Sequence, residues 1–154
     1  MKQNSTVKEQ SLNPQPSVRA TPPAVAEQLD ERVLAALNAA AEKKAIEPVV
    51  LDLREIASFT DFFLIVSGAN ERQVQAISDE VYETLKKAGH AALRVEGYKT
   101  AEWILLDYGD FVVHVFEQKA RKFYDLERLW RESKRVDLPA EFSADSSGSL
   151  RRES

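Results

Sequence analysis

The residues of this chain that could do chemistry are few and scattered. Of the two histidines, His90 follows the helix-ending Gly89 at an expected surface position, and His114 lies in a strand-like run on the same face as Val112 and Phe116. A metal site would want further His or carboxylate ligands at helical or hairpin spacing, and neither histidine has them. His114 therefore reads as a stacked strand residue bonded to a neighbour, and no metal or cofactor is expected. Ser67-Gly68 ends an apolar run before a helix, but a nucleophile elbow needs Gly two residues before the Ser, and residue 65 is Ile. Ser67 to Asn70 could cradle an anion at the helix start, although a phosphate loop carries several glycines and this stretch has one. Strand-borne acid pairs bind magnesium in phosphoryl and nucleotidyl transfer. No Asp-x-Asp or Asp-x-Glu pair sits on a strand here, and Asp107 and Asp110 read as turn residues that accept local backbone N–H bonds. With no cysteine in the chain, disulfides, thiolate metal sites and a Cys nucleophile are all excluded.

Two stretches favour recognition over reaction. In Glu102-Trp103-Ile104-Leu105-Leu106-Asp107, strand alternation puts Trp103, Leu105 and Asp107 on one face and Ile104 and Leu106 on the other. If the second face covers the core, the first displays an aromatic anchor, an aliphatic and an acid, a patch suited to a protein partner. If both faces lie under helices, the patch disappears. Arg121-Lys122-Phe123-Tyr124 mixes charge with aromatics and could stack on RNA bases. Phe123 falls at helical spacing with Leu126 and Trp130, however, which assigns it to the core and leaves Arg121 and Tyr124 as surface contacts.

The elements that must position these residues follow from punctuation and periodicity. A first helix spans roughly 27–44 through Leu29, Val33 and Leu37, and Val49 to Leu53 and Phe62 to Ser67 read as strands. Asn70 caps a second helix, with Gln73 at the capping-box position, a stripe of Val74, Ile77, Val81, Leu85 and Ala88, and Gly89 to end it. Leu93 to Glu96, Glu102 to Asp107 and Phe111 to Phe116 are further strands, the last two joined by a hairpin at Tyr108-Gly109-Asp110. One final helix runs from near Lys119 until Pro139 bars it. The sum is a mixed α+β fold, a mixed sheet of about five strands flanked by helices.

The 154 residues suit one domain and carry a net charge of -4. Residues 1–26 and 139–154 hold too little apolar surface to offset their ordering entropy and read as disordered tails, Pro-rich and Ser-rich respectively. The remaining 27–138 holds 16 basic and 21 acidic residues, net -5, so the acidity belongs to the folded part. That balance argues against wrapping a nucleic-acid backbone. No apolar stretch suits a membrane span or a secretory signal, and a cytoplasmic protein is expected.

Several runs together resemble one family. They are Thr60-Asp61-Phe62-Phe63-Leu64-Ile65-Val66-Ser67-Gly68, Arg72-Gln73-Val74, Glu96-Gly97, Trp103-x-Leu105-x-Asp107-Tyr108-Gly109-Asp110, Val113-His114-x-Phe116 and Arg121-x-Phe123-Tyr124-x-Leu126-Glu127-x-Leu129-Trp130. In order and spacing the chain is similar to the ribosomal silencing factor (Iojap-like) family over about 29–138. The resemblance implies a nucleotidyltransferase-like fold without enzymatic activity and a homodimer. It also implies binding to the large ribosomal subunit at ribosomal protein L-fourteen, blocking small-subunit joining when nutrients are scarce. Carried over residue by residue, the implied partner-binding set is Glu96, Trp103, Leu105, Asp107, Tyr108, His114, Phe116, Arg121 and Tyr124, with RNA contact at most peripheral. Two other readings stand beside it: a nucleotidyl- or phosphotransferase using Ser67-Gly68, and a helper in large-subunit assembly.

Overall fold

The computed structural model describes residues 29–142. The expected N-terminal tail, and residues 143–154 of the expected C-terminal one, lie outside the described residues. Helix α1 (Glu31–Glu42) starts where Asp30 accepts the Arg32 backbone N–H at 2.8 Å, and it buries Val33, Ala36, Leu37 and Ala40. Strands β1 (Ile46–Asp52) and β2 (Phe62–Gly68) pair antiparallel, with a bulge near Glu47 and Pro48.

Helix α2 (Glu71–Lys87) has the expected capping pattern: Asn70 Oδ1 accepts the Gln73 N–H at 2.9 Å, and Gln73 Oε1 accepts the Ala69 N–H at 2.7 Å. The Gln73 amide also donates to the carbonyls of Lys43 and Lys44, both at 3.1 Å, which ties the end of α1 to the start of α2. Past the helix, Gly89 takes the left-handed φ of 93° expected of it.

Strands β3 (Arg94–Glu96), β4 (Trp103–Asp107) and β5 (Phe111–Glu117) follow, then the short helices α3 (Gln118–Tyr124) and α4 (Leu126–Leu129) and strand β6 (Lys134–Arg135). The sheet has six strands in the order β3-β4-β5-β2-β1-β6. Only β2 and β5 run parallel; the other neighbours are antiparallel.

Three expectations need correction. The sheet has a sixth strand: Leu51 pairs with Arg135 and Asp52 with Lys134, a two-residue polar edge with no apolar alternation to announce it. The single last helix is two, because Asp125 adopts a left-handed conformation (φ 49°, ψ 52°) that Asp tolerates better than most residues, and it redirects the chain. The packed core also reaches beyond Pro139, since Phe142 is buried against the α1/α2 side.

The two sides of the sheet are covered unequally. Val50, Leu64, Val66, Ile104, Leu106, Val113 and Val115 lie under α1 and α2 with almost no exposed surface. The opposite side holds Val49, Leu51, Phe63, Ile65, Val112 and Phe116, covered among the described residues by the two short helices and the Leu53–Phe59 connection, with Trp103 and Leu105 at its margin. No helix among the described residues is long and apolar enough to cross a membrane.

Candidate functional site

Cross-strand register assembles the site on this thinly covered face. Glu96 lies opposite Leu105, Leu105 opposite His114, and His114 beside Ile65, forming one row across β3, β4, β5 and β2. Trp103 pairs with Phe116 in the row to one side, and Arg94 and Asp107 with Val112 in the row to the other. Because neighbouring rows on one face are two residues apart, Trp103, Leu105 and Asp107 stand side by side as alternation requires. All three are half-buried, so their face is neither closed under helices nor fully bare.

The indole of Trp103 is held in place. Its Nε1–H donates to His114 Nδ1 at 3.1 Å, and its ring packs 4.8 Å from both Phe116 and Tyr124. His114 is buried edge-on to Phe63 at 4.4 Å, and burial pushes its pKa down to about 3. The imidazole is therefore neutral at physiological pH, with Nδ1 the acceptor and the proton on Nε2. Among the described residues that Nε2 has no hydrogen-bond partner, and the buried ring is tied to its surroundings by the Trp103 bond and by stacking.

The rim is ionic. Arg94 donates to Glu96 at 2.7 Å and to Asp107 at 3.2 Å, while the other Asp107 oxygen accepts the Gly109 N–H at 2.8 Å. Asp107 thus serves the hairpin turn as its type suggested and still lies on the Trp103 face. Asp110 does not; it turns away to pair with Arg32 at 3.0 Å. Gly97 shapes the edge: at φ 81°, a Cβ added there would sit 2.1 Å from the Trp103 carbonyl oxygen. Only glycine lets the β3 exit pass so close behind the Trp103 backbone.

The expected binding residues therefore separate into two sets. Glu96 and Tyr124 are exposed, and Trp103, Leu105 and Asp107 are half-exposed, so a partner can reach all five. Tyr108, His114, Phe116 and Arg121 are buried. Tyr108 stacks on Phe111 at 4.9 Å, and burial raises its hydroxyl to about 12. The surface role given to Arg121 and the core role given to Phe123 are exchanged. Arg121 is buried, donating to Ser67 Oγ at 2.8 Å and pairing with Glu127 at 2.9 Å, whereas Phe123 is 79% exposed. The break at Asp125 causes this exchange, because it takes Phe123 off the face that one continuous helix would share with Leu126.

Sequence reasoning also missed Phe59, which is 59% exposed and packs 5.8 Å from Trp130, extending the aromatic surface. Its only sequence cue was an aromatic in a polar connection. Ser67 is buried, its Oγ bonded to Arg121, and it lines a small cleft with Glu47, Gln118 and Glu127. Among the described residues, no group of three or more His, Asp or Glu is arranged to hold a metal ion.

Comparison with known proteins finds one group similar to this chain. Residues 26–153 match the family described as "Ribosomal silencing factor during starvation". The chain is 45% identical over 103 residues to the ribosomal silencing factor RsfS of Halalkalibacterium halodurans, covering 67% of this chain and 88% of that one. A solved structure from Bacillus halodurans superposes with a TM-score of 0.64 at 44% identity, covering 70% of this chain and 98% of that one. A mouse relative named "Mitochondrial assembly of ribosomal large subunit protein 1" is 27% identical over 108 residues, covering 68% of this chain and 47% of that protein.

Proposed function

The chain belongs to the ribosomal silencing factor family, and from that premise we propose that it is a non-enzymatic translational repressor that docks on the large ribosomal subunit. The observation that carries this reading is the Trp103 face: an indole fixed by His114 and flanked by Leu105, with Glu96 and Asp107 at its rim. A pre-positioned aromatic loses little conformational freedom on binding, and such anchors dominate interface energies. Glu96 and Asp107 are bridged by Arg94, which leaves the rim one net negative charge and favours a basic partner; ribosomal protein L-fourteen is the partner that the family resemblance implies. Once docked on the joining face, the bulk of the domain excludes the small subunit, and no chemical step is needed. Repression under nutrient limitation, a cytoplasmic location and a homodimeric free form belong to the same reading.

Of the proposed contact set, Glu96, Trp103, Leu105, Asp107 and Tyr124 touch the partner. His114 and Phe116 position Trp103 from below, whereas Tyr108 packs in the core on the α1/α2 side and Arg121 ties α3 to β2 through Ser67. The name of the mouse relative favours a second reading, in which the same surface serves large-subunit assembly. The transferase reading draws less support, because the Ser67 hydroxyl it would use is engaged by Arg121. The test is sedimentation of purified subunits under joining conditions. Silencing predicts that added protein shifts joined particles to free subunits and travels with the large one. Undiminished joining, with the protein bound to immature large particles alone, would favour assembly.

A further inference from the structure

The end of the folded chain departs from the rest in charge. Residues 118–135 hold seven Lys or Arg against three Asp or Glu, a net of +4, within a folded region whose total is -5. The turn at Asp125 sets α3 against α4 so that Lys122, Arg128 and Arg131 line one shallow open groove of 460 Å³ with Phe123, Tyr124, Leu129 and the lone acid Asp125, three cations against one carboxylate. Phe123 is 79% and Leu129 70% exposed. Among the described residues none of the three cations enters an ion pair, whereas the neighbouring Arg121 is neutralised by Glu127.

This groove is continuous with the docking face and opposite to it in sign. The Phe123 ring meets Tyr124 edge-on at 5.0 Å, and Tyr124 lies 4.8 Å from Trp103. A partner recognised by the Glu96 and Asp107 rim is basic, and such a partner would be repelled by Lys122, Arg128 and Arg131. The groove therefore needs a second, anionic neighbour. Unpaired cations around an exposed flat ring match the two features of single-stranded nucleic acid, phosphates for the charges and a base face for the ring.

We propose that the Phe123 groove is an RNA contact, taking up to three phosphates of an unpaired ribosomal RNA segment and stacking one base on Phe123. Its location beside the docked protein rests on the ribosome reading above; its chemistry does not. Such a contact is local and compatible with an acidic total that disfavours broad wrapping of nucleic acid, since the basic residues are gathered at 118–135.

The test uses the full chain and a short fluorescently labelled single-stranded RNA, followed by anisotropy across a salt series with no ribosome present. Three phosphate contacts predict a log–log salt slope of about -2. Phe123→Ala should weaken binding roughly tenfold, and Arg128→Glu with Arg131→Glu should flatten the slope and remove most of the binding. All these side chains are exposed, and circular dichroism checks that the variants stay folded. RNA binding that is absent at low salt, or unchanged in both variants, overturns the proposal. Displacement of the RNA by poly-glutamate at matching affinity also overturns it and assigns the groove to an acidic protein. Because the assay contains no ribosome, its failure leaves docking through Trp103 untouched, and loss of Trp103-dependent docking leaves the RNA result standing.

Discussion

On one side of the sheet, Leu64, Ile104 and Val113 are sealed beneath α1 and α2; on the other, Trp103 and Leu105 stand in the same strands or their neighbours and remain half open. Both sides are apolar, so composition alone does not separate them. Coverage does: α2 has 17 residues and lies along the sheet, while α3 and α4 have seven and four. A fully covered face supplies stability, and a partly covered one keeps apolar area available to a partner. The strands are shared, so the stable face also holds the available one rigid.

The contrast fails if truncation is equally costly on both sides. Leu64→Ala should reduce unfolding free energy by about 3 kcal/mol, the cost of a buried cavity, read as a lower urea midpoint. Leu105→Ala should cost less than about 1 kcal/mol, because its site is already partly solvated, yet it should weaken docking where Leu64→Ala leaves the docking of folded molecules intact.

His114 gives the next largest effect. Unfolded, the imidazole titrates near its ordinary 6.5, and folded it titrates at about 3. Between those values the unfolded chain binds one proton more, so stability falls as pH falls, by about 1.4 kcal/mol per pH unit at most. From pH 6.5 to 4 the loss should approach roughly 3 kcal/mol in total, and His114→Phe should flatten that window in pH-dependent urea titrations.

Trp103→Phe retains most of the apolar contact but strands His114 Nδ1 without a donor, at a cost of about 1 to 2 kcal/mol in the same titrations. The smallest effect is electrostatic. Asp107→Asn should weaken large-subunit binding by less than about tenfold, and added salt should erase the difference between variant and parent.

The sequence was legible where local chemistry and tertiary structure agree. Helix α2 declares its cap, stripe and stop at Asn70, Val74 to Leu85 and Gly89, and each does what its type requires. The alternation of β4 showed which residues share the Trp103 face. Two features were hidden for opposite reasons. Strand β6 is a tertiary accident of pairing, two polar residues meeting an edge. Helices α3 and α4 carry the apolar periodicity of one helix, and a single left-handed Asp125 overrides it, moving Phe123 outward and Arg121 inward. The family resemblance implied nine candidate residues, but only packing separates the five that are accessible from the four that are buried. Overall charge hides local detail for a similar reason, since a sum over the chain averages out the basic cluster at 118–135.

The central claim is that the Trp103 face is the docking surface, and Trp103→Glu with purified large subunits tests it most directly. The account predicts a variant that stays folded by circular dichroism and no longer co-sediments with the subunit, a loss of at least roughly thirtyfold in affinity as expected of an interface anchor. Co-sedimentation equal to that of the unaltered chain would contradict it.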